Sequence, residues 1–400
     1  MLRPERLSEP PSGGILGPLL AIAVLAACGP GTLPAPATPP ADVEPAGQRP
    51  RAGLYGGPAD PVALTADEAE LARLATGCQP DPRLVIAARA HADDLASSGL
   101  PRSTADLDHL RFGILAAGGF DYRIQPFIAT ADAAGREALA GFVGQRGASW
   151  THFGVGILGG VLVWIGVDRP LELDAVPIRF PQGRGTQVTG RVLDPRVARV
   201  TAFLGLPDGS VGRLAVSGGS PFSIDIPQGS AGRHDLELLV DTGRGPEVAV
   251  LLPLYLGCEP ERRPVVFQEP PDSGAREPAR LLYELIGEVR RRAGLEPLRR
   301  DITLEALARA HSAEMIERGF FGHVSPATGS LAERLAAQGL RPTASAENVA
   351  RAGSAWRAHR NLLQSPSHRM HLIDPRFTHV GVGAARDGDD VIVTEVFARW

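Results

Sequence analysis

The chain has 400 residues, with 41 Lys or Arg against 45 Asp or Glu, so its formal net charge is −4. A charge this small for the length gives no electrostatic reason to expect a nucleic-acid partner. Domains usually contain about 100–200 residues, so several domains are expected. The only cysteines are Cys28, Cys78 and Cys258, and their spacing fits no common thiolate site for zinc or an iron–sulfur cluster.

The N-terminal segment has the pattern of an export signal. An uncharged apolar run over residues 15–27 follows Arg3 and Arg6. The run is shorter than the about 20 residues that span a bilayer, and it has the proportions of a signal-peptide hydrophobic region. Small residues precede Cys28, as in a bacterial lipobox, whose cysteine is lipidated and becomes the new N-terminus. Residues 1–28 are therefore predicted to be a lipoprotein signal peptide with its lipobox.

Residues 29–63 are rich in Pro and Ala and predict an extended tether. The alternative for the apolar run, a buried helix that ends in a chance cysteine, is disfavoured because the tether offers nothing to pack against. We expect an extracytoplasmic protein that is lipid-anchored to a bacterial membrane. Gly29 after the cysteine, instead of Asp, favours the outer membrane if the cell has one. An oxidising compartment would allow a disulfide between Cys78 and Cys258.

Two of the three predicted folded segments resemble each other. These segments cover residues 64–172, 180–258 and 276–400. An Ala-Arg-Ala-His run occurs at 88–91 and again at 308–311, and Thr151–Gly156 resembles Thr378–Gly383. Matches in the same order argue for duplication. The first segment is therefore predicted to be a degenerate copy of the third.

The middle segment, residues 180–258, consists of short alternating apolar and polar runs separated by Gly-, Pro- and Asp-containing turns. This pattern predicts an immunoglobulin-like β-sandwich. It contains no catalytic constellation, so a role as spacer or packing partner is expected. The predicted fold class of the whole chain is α+β.

The third segment, residues 276–400, combines helical periodicity with four short phrases. Helices are predicted over 279–294 and from the cap Asp301 to Gly319. The phrases, in order, are GFFGHVSPATGSLAERL (319–335), SAENVA (345–350), SPSHRMHLIDP (365–375) and HVGVGAA (379–385). They resemble the bacterial branch of the CAP superfamily, which contains cysteine-rich secretory, antigen 5 and pathogenesis-related proteins. This resemblance implies an α-β-α sandwich with a central antiparallel sheet and a cleft.

The resemblance also implies that the cleft contains His323, Glu347 and His368. Two imidazoles and a carboxylate can hold Zn²⁺ and leave a coordination position open. The second glutamate of eukaryotic members is expected on the helix that leads to Ser365, where this sequence has none. From spacing alone, a structural role for the two histidines with Glu347 as their partner stays open.

The other histidines are assigned by pattern. His311 is predicted to be a core or cap residue, and His359 with Arg360 to lie on a solvated helix face. His371 is expected either at the cleft rim or at the surface. His379 corresponds to His152 of the first copy, which favours a structural role for His379 in a strand.

Three functions remain open at this stage. The favoured one is a membrane-anchored binding module for a small molecule, a metal ion or an envelope polymer. The alternatives are a metal-assisted hydrolase of envelope polymer or peptide, with Glu347 as candidate base, and a structural or protein-interaction module. No serine–histidine–acid order supports covalent catalysis. The first copy lacks the cleft residues, since Ser103 and Pro126 stand near the places of His323 and Glu347.

Overall fold

The computed structural model describes residues 53–98, 107–261, 269–271 and 273–400. The predicted signal peptide with Cys28, most of the tether and Ser103 lie outside the described residues. The described part forms two mixed α/β units with a β-sandwich between them in the chain.

The C-terminal domain is a four-stranded sheet covered by helices on both faces. Its strands, in spatial order, are Arg299–Arg300, His379–Asp387, Asp390–Arg399 and Ala344–Ala352. Its helices are Pro278–Arg292, Ile302–Glu317, Leu331–Ala337, Ala355–Gln364 and Pro366–Leu372. Strand Ala344–Ala352, called here the edge strand, pairs only with Asp390–Arg399 and leaves its other side unpaired within the described chain.

Alternation along the edge strand assigns its side chains to two helical layers. Glu347 and its partner Val396 face the layer of Ile302–Glu317 and Leu331–Ala337, whereas Asn348 and its partner Glu395 face the other. The predicted helix cap is confirmed, because Asp301 accepts hydrogen bonds from the amides of Thr303 and Leu304.

Two glycines determine how closely the helix Ile302–Glu317 approaches the sheet. A Cβ added at Gly381 would lie 2.2 Å from the backbone carbon of Leu304, and one at Gly383 would lie 2.1 Å from the backbone nitrogen of Arg309. No side chain fits in these spaces, so the Gly-Val-Gly phrase is required by close packing of helix on strand.

The first unit has a sheet with the same pattern of pairing. Its strands, in spatial order, are Gln79–Pro80, His152–Leu158, Val161–Val167 and Ile124–Thr130, and its helices are Ala66–Ala72, Pro82–Ser98, Leu107–Ala116 and Ala133–Arg146. In both units a short parallel strand precedes an antiparallel hairpin, and the last strand in spatial order is antiparallel. Gly154 and Gly156 are crowded by Leu84 and Arg89 in the same way as the glycines above.

The predicted disulfide between Cys78 and Cys258 is not formed. Cys78 carries a free thiol that donates to the carbonyl of Trp150 at 3.3 Å. Burial raises the pKa of this thiol. A disulfide requires the Cβ atoms of the two cysteines to lie close together. The presence of two cysteines in an exported chain does not show that the fold places them so.

The middle unit is a β-sandwich whose two sheets share one hydrophobic core. The larger sheet contains Val211–Leu214, Arg199–Gly205, Gly232–Asp241, Pro246–Leu256 and Arg179–Phe180, and the smaller contains Val216–Gly218, Phe222–Ile226, Thr186–Val192 and Leu171–Leu173. The short pair Leu54–Tyr55 and Val176–Pro177 lies beside them.

Two predicted boundaries are corrected by this core. The tether was predicted to extend to residue 63, yet Tyr55 is only 3% exposed within the sandwich core, and its hydroxyl donates to the carbonyl of Pro253. The first segment was predicted to end at residue 172, but Leu171 also packs in the sandwich core. An isolated aromatic in a Pro- and Gly-rich stretch has no periodicity, so the sequence pattern could not reveal it.

Candidate binding cleft

The predicted site residues meet beside the edge strand. His323 lies in the loop after helix Ile302–Glu317, Glu347 lies on the edge strand, and His368 lies on helix Pro366–Leu372, called here the cleft helix. The Nδ1 atom of His323 is 3.0 Å from Oε1 of Glu347. The rings of His323 and His368 have centroids 6.4 Å apart and planes inclined by 25°. The structure therefore brings together the three side chains that the sequence singled out.

The loop that carries His323 is fixed from two sides. His311 is buried, and its Nε2 donates to the carbonyl of Gly322 at 3.0 Å, which confirms its prediction as a core residue. Arg334 donates through Nη1 to the carbonyl of His323 at 3.0 Å and to that of Gly329 at 2.7 Å. Backbone carbonyls that would otherwise be left unpaired thus position the loop.

Glu347 is a buried carboxylate with both oxygens engaged. Oε1 bonds His323, and Oε2 accepts from Nη2 of Arg334. Burial alone would raise the pKa of Glu347, but the hydrogen bond from His323 and the nearby positive charges outweigh it, so the pKa lies below its ordinary value. A carboxylate can only accept hydrogen bonds, so Nδ1 of His323 is the donor and its Nε2 points away from this pair.

His368 is held in its neutral form. Burial lowers its pKa to about 3, and the charges of His323 and His371 act in the same direction. Its Nδ1 lies 2.5 Å from Oγ of Ser365. Within the described residues its Nε2 has no hydrogen-bond partner.

The opposite face of the edge strand carries a second polar network. Nδ2 of Asn348 donates to Oε2 of Glu395 at 3.0 Å and to the carbonyl of His368 at 3.2 Å. Its Oδ1 is 2.8 Å from Nδ1 of His371, and burial lowers the pKa of His371 to about 4. Asn348 thus ties the cleft helix to the edge strand.

His359 contradicts its predicted solvated position. It is buried, and its Nδ1 lies 3.6 Å from Oε1 of Glu395. The helix turns His359 towards the last strand of the sheet, whereas Arg360 places its guanidinium over the ring of Trp356. Glu395 is a second buried glutamate, yet it comes from the last strand and not from the helix that leads to Ser365.

The structure does not assemble the three-ligand metal site predicted from His323, His368 and Glu347. Within the described ranges, no three His, Cys, Asp or Glu side chains are arranged to hold a metal ion. In this arrangement Oε1 of Glu347 faces Nδ1 of His323 and Oε2 accepts from Arg334, so Glu347 and His323 bond each other instead of sharing a cation.

The β-sandwich borders the cleft, a feature that sequence reasoning missed. The amide of Val324 donates to the carbonyl of Arg244 at 3.2 Å, and a Cβ added at Gly245 would lie 3.1 Å from Cβ of His323. A Cβ at Gly205 would lie 3.3 Å from Pro366, so a sandwich strand also packs directly on the cleft helix.

Glu237 of the sandwich is the second missed residue at this border. It is buried, and it accepts from Oγ of Ser365 and, at 2.7 Å, from the amide of Ser367. Burial raises its pKa, although these hydrogen bonds and the charge of Arg369 oppose the shift. Nothing in its local sequence distinguishes Glu237 from a surface residue, whereas Arg334 could have been found because it follows the Ser330–Glu333 capping box on the same helix.

Shallow surface depressions lie away from the cleft histidines. One of about 290 Å³ is lined by Tyr283, Ile286, Leu298 and Val380, on the other side of the domain's sheet from Glu347. No cleft histidine contributes to it. The His323–His368 site is lined by polar side chains and is bordered by the sandwich at Arg244 and Gly245.

Comparison with known proteins adds a family to this geometry. Residues 283–397 match the model of the CAP family, described as the cysteine-rich secretory protein family. The chain is 34% identical over 114 residues to the uncharacterized protein YkwD of Bacillus subtilis, covering 27% of this chain and 42% of that protein. It is also 34% identical over 112 residues to the uncharacterized membrane protein YlbC of the same organism, covering 26% of this chain and 31% of that protein. The match thus spans less than half of either relative.

Solved structures with some similarity to this chain include an extracellular protein and an outer surface protein. An extracellular protein containing a SCP domain from Bacillus anthracis is 17% identical, with a TM-score of 0.29, and the match covers 54% of this chain and 82% of that one. An outer surface protein from Borrelia burgdorferi is 24% identical, with a TM-score of 0.29, and the match covers 31% of this chain and 94% of that one. Over the residues with described coordinates, no helix combines the length and apolar character needed to cross a membrane.

Proposed function

The C-terminal domain belongs to the CAP superfamily, in its bacterial branch, and from this premise we propose that the chain is an exported, lipid-anchored envelope protein whose cleft binds a polar ligand. The observation that carries the proposal is the pair of imidazoles, His323 and His368, whose ring centroids lie 6.4 Å apart and whose Nε2 atoms have no hydrogen-bond partner among the described residues.

The ligand class follows from the chemistry of these two rings. The Nδ1 atom of His323 is directed to Glu347, and Nδ1 of His368 is directed to Ser365. Their Nε2 atoms are left for hydroxyl or amide groups of a ligand. Peptidoglycan, an envelope polymer, offers both groups along its glycan and its peptides. A divalent ion such as Zn²⁺ is the second candidate, bound by the two Nε2 atoms with water completing its shell.

Binding is favoured over hydrolysis by the state of the groups near the histidines. A general base needs a carboxylate or imidazole that can reach a water and whose pKa lies near the working pH. Glu347 has a lowered pKa, and both of its oxygens are engaged. The positive charge of Arg334 favours the ionised form of Glu347, which makes this carboxylate a weak base. Ser365 donates its proton to Glu237, which is the reverse of what a nucleophilic serine beside a histidine requires.

The anchor and the location are proposed from the lipobox pattern. The apolar run over 15–27 and Cys28 have the order of a lipoprotein signal, and the Pro-rich stretch after them suits a tether. The extracellular and outer surface proteins among the similar structures agree with an extracytoplasmic place. Substituting Cys28→Ser should move the protein from the membrane fraction to the aqueous phase on detergent phase partitioning, and retention in the detergent phase would contradict the anchor.

We also propose that the first unit is a degenerate copy of the CAP domain and that the middle unit is immunoglobulin-like. Supporting the first, both sheets share one strand order, and His152 and His379 each bond the threonine before them at about 3 Å. Pro126 occupies the ladder position of Glu347, since each pairs with the strand residue that is opposite the first glycine. The copy therefore lacks the cleft carboxylate, and a scaffolding role suits it.

Co-sedimentation with isolated peptidoglycan tests the proposed function. The full mature chain should pellet with the polymer, and the double variant His323→Ala, His368→Ala should lose at least tenfold in affinity, or about 1.4 kcal/mol. His379→Ala is the matched control, because His379 is a histidine of the same domain that bonds its neighbour Thr378 and packs against Trp400. Equal pelleting of the wild type and the double variant would contradict a role for the cleft.

A thermal-shift arm with Zn²⁺ separates the two ligand candidates. An ion that binds the native state at 100 times its dissociation constant stabilises it by about 2.7 kcal/mol. If Zn²⁺ stabilises the wild type but not the double variant, and the wild type does not pellet with peptidoglycan, the ligand is a metal ion and not the polymer.

A further inference from the structure

Glu237 connects the β-sandwich to a cleft histidine through one serine. This side chain is fully buried at the border of the two domains, where Oε1 accepts from Oγ of Ser365 and Oε2 accepts from the amide of Ser367 at 2.7 Å. The same Oγ lies 2.5 Å from Nδ1 of His368. Among the residues that the structure describes, Glu237 forms no ion pair. A buried carboxylate bonded only to neutral donors is costly to retain unless its contacts serve a purpose.

The carboxyl group of Glu237 determines the direction of the hydrogen bonds that run from Glu237 through Ser365 to His368. The hydroxyl of Ser365 donates to Oε1 of Glu237, so its single proton points to that carboxyl group. The serine oxygen is then available as an acceptor, and Nδ1 of His368 must supply the proton between them. Because His368 is neutral, its only ring proton lies on Nδ1, and Nε2 carries a lone pair towards the cleft.

We propose that Glu237 of the β-sandwich is a positioning residue that sets the tautomer of His368 through Ser365, so that the second domain completes the CAP cleft. The site then presents a hydrogen-bond acceptor at Nε2, which suits a ligand hydroxyl or amide N–H. A neighbouring group that fixes the tautomer of a functional histidine through its other nitrogen is a general device in protein sites. The use of the cleft rests on the proposed function, but the tautomer itself does not.

The packing explains why this contact is specific. Gly205 and Gly245 bring sandwich backbone against the cleft helix and against His323, and a Cβ at either position would lie within 3.3 Å of a neighbouring side chain. These contacts would dock the domains without Glu237. A carboxylate at this position is therefore not needed for docking alone, whereas the relay through Ser365 places the proton of His368 on Nδ1.

Nitrogen NMR of the full mature chain with ¹⁵N-labelled histidine tests the proposal with the cleft empty. The shifts of Nδ1 and Nε2 identify which nitrogen carries the proton, and a His368→Asn spectrum assigns the signal. At mildly alkaline pH the wild type should show mainly the Nδ1–H form. In Glu237→Gln the amide oxygen remains the acceptor for Ser367, so the amide N–H donates to Ser365 and the serine donates to His368. The signal should change to mainly the Nε2–H form.

Two further variants keep the test decisive. Ser365→Ala removes the relay, so the Nδ1–H preference should disappear even if Glu237→Gln separates the domains. Glu247→Gln is the matched control, since Glu247 lies in the same hairpin of the sandwich but pairs with Arg123. Its spectrum should equal that of the wild type. An unchanged Nδ1–H signal in both Glu237→Gln and Ser365→Ala, or an Nε2–H signal in the wild type, would overturn the proposal. Neither outcome depends on whether peptidoglycan or Zn²⁺ binds.

Discussion

Replacing Arg334 by Met should destabilise the C-terminal domain through the charge it leaves on Glu347. The guanidinium donates to Glu347 and to the carbonyls of His323 and Gly329, and both charged side chains are almost fully buried, at 6% and 3% exposure. Removing one partner of a buried ion pair leaves the other charge uncompensated, which costs about 3–5 kcal/mol. Met keeps most of the packing volume, so the loss reports the charge and the hydrogen bonds.

The cost should depend on pH with a definite sign. The pKa of Glu347 in the folded protein lies below its ordinary value of 4.5. Such a group contributes stability that is fully present above its unfolded-state pKa and is lost as the pH falls through the folded-state pKa. In Arg334→Met the carboxylate has lost this favourable interaction. The difference in unfolding free energy between wild type and variant should therefore be largest near neutral pH and should shrink below about pH 4.

Pulse hydrogen exchange during urea unfolding measures this difference within one domain. Peptides from Ala344–Ala352 and Asp390–Arg399 report the opening of the C-terminal sheet separately from the other units, which a whole-chain signal would mix. The double variant Arg334→Met, Glu347→Gln should recover part of the loss, because no buried charge remains. A cost that is the same at pH 7 and below pH 4, or no recovery in the double variant, would refute the electrostatic reasoning.

Three other predictions test the fold. Gly381→Ala should destabilise the domain by roughly 1–3 kcal/mol or more, because its Cβ would overlap the Leu304 backbone. Gly287→Ala, inside helix Pro278–Arg292, should instead stabilise the domain by about 0.5–1 kcal/mol, because no atom lies within 4 Å of the added Cβ. Thermal melts of the two variants test both expectations. Arg169→Met should cost about 3–5 kcal/mol in urea unfolding of the first unit, because Asp121 would lose the cation that its buried charge pairs with, while Asp81 would retain Arg83 at 3.9 Å. A cost below 1 kcal/mol would contradict that assignment. Cys78 should react slowly with a thiol reagent in the native protein and fully after denaturation, because burial raises its pKa; a native protein without any titratable thiol in either state would contradict the free cysteine.

The sequence predicted most where local chemistry determines structure. The cap Asp301 and the helix stops at Gly294 and Gly319 are confirmed, since each depends on only a few neighbouring residues. The family phrases predicted that His323, Glu347 and His368 share one site. The structure places the three side chains together because the fold fixes the strand and the loops that carry them.

The remaining features depend on contacts between distant segments. Glu237 reaches Ser365 across 128 positions of sequence, and no periodicity or motif marks such a pair. The sequence pattern predicts His359 on a solvated helix face, yet it faces the buried Glu395 on the last strand. Tyr55 lies in a stretch with the composition of a linker, although its ring completes the sandwich core. In each case the role of the side chain depends on the residues that pack against it in the fold and not on its neighbours in the sequence.

The central claim is that His323 and His368 form one ligand site. The measurement that tests it most directly is the histidine ¹⁵N spectrum of the full mature chain titrated with soluble peptidoglycan fragments. The account predicts that the Nε2 signals of both His323 and His368 move together with a single dissociation constant, while those of His152 and His379 stay in place. Fragments that bind without moving either cleft signal would contradict it.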